Sequence, residues 1–210
     1  MINIAIFPIP DCVTFPGTTF PLHVFEPRYR AMVKQCIEYE MPLAICHVQK
    51  TVREAAANQT IEEALNKNQS TYKPHDIFSA GQCELSEELP DGRLLTLVHL
   101  DKRYKKISET QVLPFPIYAC EELPDDDLDS NLSELSQLQE KLLTRLLAVT
   151  ADMPEVHAAL SSAEWQDKEA KAFSFEIFGM LRLDGDIMQK ILEKRSPVDR
   201  LQLALDLLNQ

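Results

Sequence analysis

Over roughly the first 120 residues the apolar positions come in short runs broken by proline, and beyond them they fall into spacings of three and four, so the chain changes character once. The first part predicts strands over 2–7, 19–24, 43–48, a piece of 77–85, 93–100, 106–112 and 117–121, bounded by turn-forming residues as in a curled antiparallel sheet. Pro90-Asp91-Gly92 predicts a hairpin turn, because proline presets φ and glycine accepts a positive one. One helix interrupts the strands: Pro27 suits its first position, and Met32, Val33, Cys36 and Ile37 form one stripe. A second helix is expected over 51–66, where Ala55, Ala56, Ile61, Ala64 and Leu65 follow no strand pattern.

Glu121, Glu122, Asp125, Asp126, Asp127 and Asp129 crowd around Pro124, a run that reads as too self-repelling to pack and so as a linker. Past it, Leu132, Leu135, Leu138, Leu142, Leu146 and Val149 predict a helix of about five turns opened by an Asn131–Glu134 capping box. Further helices are marked by Ser161 with Glu164 leading toward Phe173, Ile177 and Leu181, by Asp184 or Asp186 leading into Ile187 and Ile191, and by Ser196-Pro197 with Asp199 before Leu201 and Leu205. The expected organisation is α+β: a β-rich unit over 1–122, an acidic linker over 123–130 and a helical bundle over 131–210.

Composition narrows the function more than the fold. The chain has 210 residues, 45% hydrophobic and 26% charged, within the ordinary globular range. No apolar run approaches the roughly 20 residues that span a bilayer, and the first dozen residues lack a basic stretch and carry Pro8 and Pro10. A cytoplasmic protein with no membrane partner is the expectation. Thirty-three acidic against 21 basic residues give a formal charge of −12, a field that repels phosphate backbones and disfavours nucleic acid. Lys102-Arg103-Tyr104-Lys105-Lys106 is the basic cluster; it reads as a lysine-protected edge strand, with an RNA-binding surface as the alternative. With only five glycines there is no phosphate-binding loop, and no cofactor is expected.

The five cysteines, at 12, 36, 46, 83 and 120, form no CxxC pair and read as small buried hydrophobes rather than disulfides or metal ligands. Cys46 and His47 are adjacent on an expected strand, so their side chains point to opposite faces and cannot act as nucleophile and base. His23, His47, His75, His99 and His157 show no HxxxH or HExxH spacing. No catalytic residue and no metal site is expected.

Phe15-Pro16-Gly17, Pro21-Leu22 and Phe25-Glu26-Pro27-Arg28-Tyr29, with the hairpin and basic residue of 89–107 where Arg103 stands, resemble the Lon protease N-terminal (LON substrate-binding) domain family. Leu100 stands where that family usually has a glycine. The resemblance implies a PUA-like β pseudobarrel followed by a C-terminal α-helical bundle, free-standing here without the ATPase and peptidase domains of the full protease. It implies a non-catalytic module that binds unfolded or extended polypeptide segments or a partner protein. An adaptor delivering substrates to a separate protease and an RNA-binding PUA-like protein are the alternatives.

Read from the residues, Phe7, Phe15, Phe20 and Phe25 are large apolar groups on or beside strands, and barrel core is their plainest role. Partner contact is expected near 15–29, from Phe15, Phe20, His23, Phe25 and Tyr29. Glu26, Pro27, Arg28 and Arg103 are expected to build a strand-to-helix corner, with Glu26 near a favourable helix dipole and ion-paired to Arg28 or Arg103.

Overall fold

Turn chemistry and strand period are realised first in the long hairpin that organises the β unit. The computed structural model describes residues 1–54, 70–126, 132–181 and 183–208. Its strands are β1 (Ile2–Pro8), β2 (Thr19–Val24), β3 (Leu43–Cys46), β4 (Val48–Arg53), β5 (Thr71–Pro74), β6 (Ile77–Glu88), β7 (Leu94–Gln111) and β8 (Ile117–Glu122), with α1 (Pro27–Glu38) between β2 and β3. Gly92, at φ 82°, donates its amide to the Leu89 carbonyl and closes the β6–β7 turn where the Pro-Asp-Gly step predicts it. The two strands expected over 93–100 and 106–112 are one, because the intervening basic residues stay paired with β6 beyond a register shift at Asp101.

The sheet order is β2-β7-β6-β3-β1-β8, and β7 pairs β8 as well, so five strands close on themselves while β2 lies outside against the first half of β7. One pairing departs from the antiparallel expectation. β1 runs parallel to β3, since the chain between them crosses over through β2 and α1 instead of turning back in a hairpin. Residues 51–53, expected in a helix, belong to β4, which pairs β5 in a separate two-stranded sheet; the rest of that expected helix lies outside the described residues.

Both faces of the barrel strands are apolar, which is why their sequences read as runs. Ala5, Leu43, Ile45, Val98 and Ile117 cluster with Leu22, Val24 and the α1 residues Tyr29, Met32, Val33 and Cys36. Ile4, Ile6, Ala44, Cys46, Phe78, Ala80, Tyr104 and Cys120 make a second cluster drawn from the five closed strands. Gly81 explains Leu100: the two face each other across β6–β7, and a Cβ on Gly81 would lie 1.8 Å from the His99 carbonyl oxygen. The backbone approach that needs a glycine takes it from β6, which leaves Leu100 free to be a buried side chain.

The helices that follow are α2 (Leu132–Val149), α3 (Pro154–Leu160), α4 (Ala163–Gln166), α5 (Ala170–Glu176), a 3₁₀ turn (Ile177–Gly179), α6 (Gly185–Glu193) and α7 (Pro197–Leu208). The chain divides into a β unit of 1–123 with 183–189 and a helical unit of 124–182 with 190–210. In the helical unit α2 buries Leu135, Leu138, Leu142, Leu143 and Leu146 and packs on α5 and α7. The single helix expected from Ser161 toward Leu181 is instead α4, α5 and the 3₁₀ turn; α5 starts at Glu169, whose carboxylate accepts from the amides of Lys171 and Ala172. Ser196 accepts from the Asp199 amide, as the serine-proline signal predicts.

The acidic run also differs from expectation. Asp125 is fully buried against Arg200, and Asp126 pairs with Arg195 at 2.6 Å, so opposite charge brought from α7 and the turn before it overrides self-repulsion. Among the described residues no helix is long and apolar enough to cross a membrane.

Candidate functional site

The Phe25-to-Tyr29 motif folds as the corner its residues predict. Pro27 takes the first helical position of α1, and the Glu26 carbonyl accepts the amides of Tyr29 and Arg30. The Glu26 side chain does not cap the helix. It accepts from Arg28 Nε at 3.0 Å, with Arg28 Nη2 at 2.9 Å from the same oxygen and both side chains about one-tenth exposed. Arg28 also donates to the Ser70 carbonyl and lies 4.5 Å above the Tyr29 ring, which stacks on Phe7 at 4.3 Å. Burial pushes the Tyr29 hydroxyl well above its usual pKa. Arg103 is 2% exposed on β7, opposite Ser79 of β6.

The five residues expected to contact a partner therefore separate. Phe15 (1% exposed) and Tyr29 (4%) are core, and Phe20 is half-buried against that core. Phe15 and Tyr29 are sealed in this way and offer no outward surface, while Phe20 keeps part of its ring accessible. His23 is exposed and Phe25 is 38% exposed, so the outward alternation of β2 presents Thr19, Pro21, His23 and Phe25 to solvent.

Pairing register shows what lies beside them. His23 faces Leu95 of β7, and Pro21 faces Leu97; on the other flank Leu95 faces Glu87 and Leu97 faces Glu84 of β6. Leu95 and Leu97 are half-buried on a side of β7 that a solvated sheet would fill with polar residues. The result is an apolar strip of Phe25, Leu95, Pro21 and Leu97 with acidic groups along β6 and polar ends: His99 hydrogen-bonds Thr19 at one end, and Arg93 approaches His23 at 3.3 Å at the other. Among the described residues β2 pairs with β7 alone, and Pro21, lacking an N–H, sits in the kind of edge strand that tolerates proline. Sequence reasoning missed Leu95 and Leu97, although the signal was present: LLTLVHL never alternates cleanly, so it carries apolar residues on both faces.

The basic cluster does not form a continuous positive face. Arg103 and Tyr104 are buried, Lys102 pairs with Glu122 at 2.9 Å, and Lys106 pairs with Asp76 at 3.0 Å. None of the five cysteines is in a disulfide. Burial raises the thiol pKa of each, to about 11 at Cys12 and Cys83 and about 12 at Cys36 and Cys120, the opposite of what a nucleophile or thiolate ligand needs. Cys46, also raised by burial, donates to the carbonyls of His47 and His75. Histidines scattered in sequence do meet in space: His47, His75 and Asp186 place one ligand atom each within 4.8 Å of one another.

A mixed pseudobarrel with appended helices is the architecture of Lon N-terminal domains. The structure is similar to that of a Lon N-terminal domain protein from Xanthomonas campestris (TM-score 0.60, 16% identity, 98% of each chain). It is similar also to the N-terminal domain of Lon protease from the Mycobacterium avium complex (TM-score 0.67, 13% identity, 99% of this chain and 98% of that one). Identities this low establish the fold alone. No curated protein matches the sequence. Family membership comes from the sequence model of the ATP-dependent protease La (LON) substrate-binding domain, which matches residues 3–210, and the chain belongs to that family.

Proposed function

We propose that the chain is a non-catalytic recognition module that binds extended or unfolded polypeptide on the solvent face of β2 and β7, with Phe25, Leu95 and Leu97 as apolar contacts and His23 at the rim. The observation that carries this is the apolar strip on an outward face next to β2, which among the described residues pairs on one edge alone. An extended peptide has side chains to desolvate and main-chain groups to satisfy, and such a face offers both. The acidic flank from Glu84 and Glu87 favours segments that carry basic residues beside apolar ones. Burial of Arg103 and the ion pairs of Lys102 and Lys106 count against RNA as the ligand, with Lys105 the exposed cation left in the cluster. Adaptor activity toward a separate protease would use the same face and differ only in the fate of the bound polypeptide.

The test is fluorescence anisotropy with a permanently unfolded, carboxymethylated protein as probe. Phe25→Ser combined with Leu97→Ser is expected to weaken binding about tenfold, equivalent to about 1.4 kcal/mol. Val149→Ser, at an exposed apolar position of the helical unit, is expected to change nothing. An unaltered affinity in a double variant with a native circular dichroism spectrum rejects this face, and absence of binding by the wild type rejects the function.

A further inference from the structure

We infer that His47, His75 and Asp186 form a binding site for a divalent first-row transition ion, zinc above all. The three residues come from separate parts of the chain: His47 follows β3, His75 follows β5, and Asp186 lies in the first turn of α6 within the β unit. Backbone bonding fixes the two histidines together, since the His75 amide donates to the His47 carbonyl at 3.0 Å. At Gly185 a Cβ would come within 3.0 Å of His47 Cε1 and 2.9 Å of the Asp11 Cα, so the absence of a side chain lets α6 start directly on the His47 ring.

One distance already suits ligation, and all three ligand atoms lie within 4.8 Å of one another. His47 Nε2 and Asp186 Oδ1 are 3.4 Å apart, long for a charge-assisted hydrogen bond but equal to the edge of a tetrahedron with metal–ligand bonds of about 2.0–2.2 Å. His47 is 5% exposed, so its ring is fixed by packing with Nε2 toward Asp186. Asp186 is 76% exposed, which gives an ion a route in and leaves room for water in a remaining position. Two imidazoles and a carboxylate suit zinc and its neighbours better than calcium or magnesium. Cys46 lies beside the site but spends its S–H on the two histidine carbonyls, so the donor set is two nitrogens and one oxygen. The histidine rings now stack at 5.0 Å, 11° from parallel. Lone pairs lie in the ring planes, so binding must tilt His75 out of the stack.

The experiment titrates Zn²⁺ into the full chain, stripped with a chelator, against a chromophoric competitor, with wild type, His75→Gln and Asp186→Asn. These two residues are the less buried members, and the variants are first shown to melt like the wild type without metal. One equivalent is expected to bind, to raise the melting temperature and shift the His75 ring resonances, and to weaken by about tenfold or more in each variant. Substituted Co²⁺ is expected to give visible ligand-field bands with no thiolate charge-transfer band. Three results overturn the site: no saturable Zn²⁺ binding, equal binding in both variants, or a charge-transfer band that puts a cysteine on the ion.

Discussion

Glu26–Arg28 in the β unit and Asp125–Arg200 in the helical unit are the same chemistry under different conditions. The first joins residues two apart in sequence at a corner that leaves each side chain about one-tenth exposed. The second joins residues 75 apart with side chains 0% and 1% exposed. Arg28, partly hydrated, has among its contacts a Glu26 carboxylate oxygen, the Ser70 carbonyl and the Tyr29 ring face. Arg200 is held more densely at its two terminal nitrogens, by both Asp125 oxygens at 2.7 Å, Ser174 Oγ at 2.8 Å and the Lys194 carbonyl at 3.0 Å, with the Phe175 ring at 3.7 Å, while its buried Nε finds no hydrogen-bond partner. Deep burial demands that the charge itself be paired on both oxygens, because desolvating two charges costs more than a single contact returns.

Removing one member of the deep pair is the severest test of that contrast. Asp125→Ala should destabilise the helical unit by about 3–5 kcal/mol, leaving Arg200 buried and unpaired. Trp165, the chain's single tryptophan, sits edge-on to Phe173 in that unit, so its fluorescence in a urea titration reads the loss. A loss below about 1 kcal/mol, the range of exposed pairs, would mean water reaches Arg200. Replacing both charges, Asp125→Leu with Arg200→Met, should recover most of the stability.

The corner should respond less. Arg28→Ala removes charge-assisted bonds to Glu26 and Ser70 and should cost about 1.5–3 kcal/mol, seen as faster amide exchange in α1 with the helical unit unchanged. Arg28→Lys should restore only part of this, since a single ammonium cannot stack on Tyr29 while reaching both acceptors. Full recovery would show that charge alone holds the corner.

How much of each region could be read in the sequence depends on the same contrast. The corner was legible because its parts are neighbours: Pro27 at a helix start, Glu26 before it, Arg28 after. The pseudobarrel and appended helices were legible through the motif order and the change of period. Asp125–Arg200 was not, since an acidic run gives no sign of an arginine 75 positions on. His47, His75 and Asp186 were hidden in the same way: His47 and Asp186 are 139 residues apart and meet only where α6 abuts the barrel strands of its own unit. The parallel β1–β3 pairing escaped because strand direction is fixed by the crossover, not by the strands' own residues. Only Leu95 and Leu97 were in plain view, as a strand that fails to alternate.

Alkaline pH should separate the units again, because all five cysteines lie in the β unit. Burial raises their pKa in the fold, to about 12 at Cys36, above the ordinary thiol value of 9.0. The folded chain then holds protons that the unfolded chain releases, so this stability is complete below pH 9 and is lost as pH climbs toward 12. Each deeply buried thiol, Cys36 and Cys46, should cost the β unit about 1.4 kcal/mol per pH unit in that window. Peptide-level amide exchange at about pH 8 and about pH 10, corrected for the intrinsic rate, should show β1, β3 and α1 loosening and α2 and α7 steady. Uniform loosening of both units would assign the effect to net charge.

The smallest effect belongs to a pair that looks as good on distance as either of the others. Lys34 Nζ lies 2.9 Å from Glu88 Oε1, joining α1 to the end of β6, yet the side chains are 56% and 46% exposed. Water already solvates both charges, and holding two long side chains in one geometry costs rotamer entropy, so Lys34→Ala should change the urea midpoint by an amount equivalent to about 0.5 kcal/mol or less. High salt should erase even that difference, since exposed charges are screened. If the loss instead matched that of Arg28→Ala, burial could not be what ranks these pairs, and the contrast between the corner and the deep pair would need another cause.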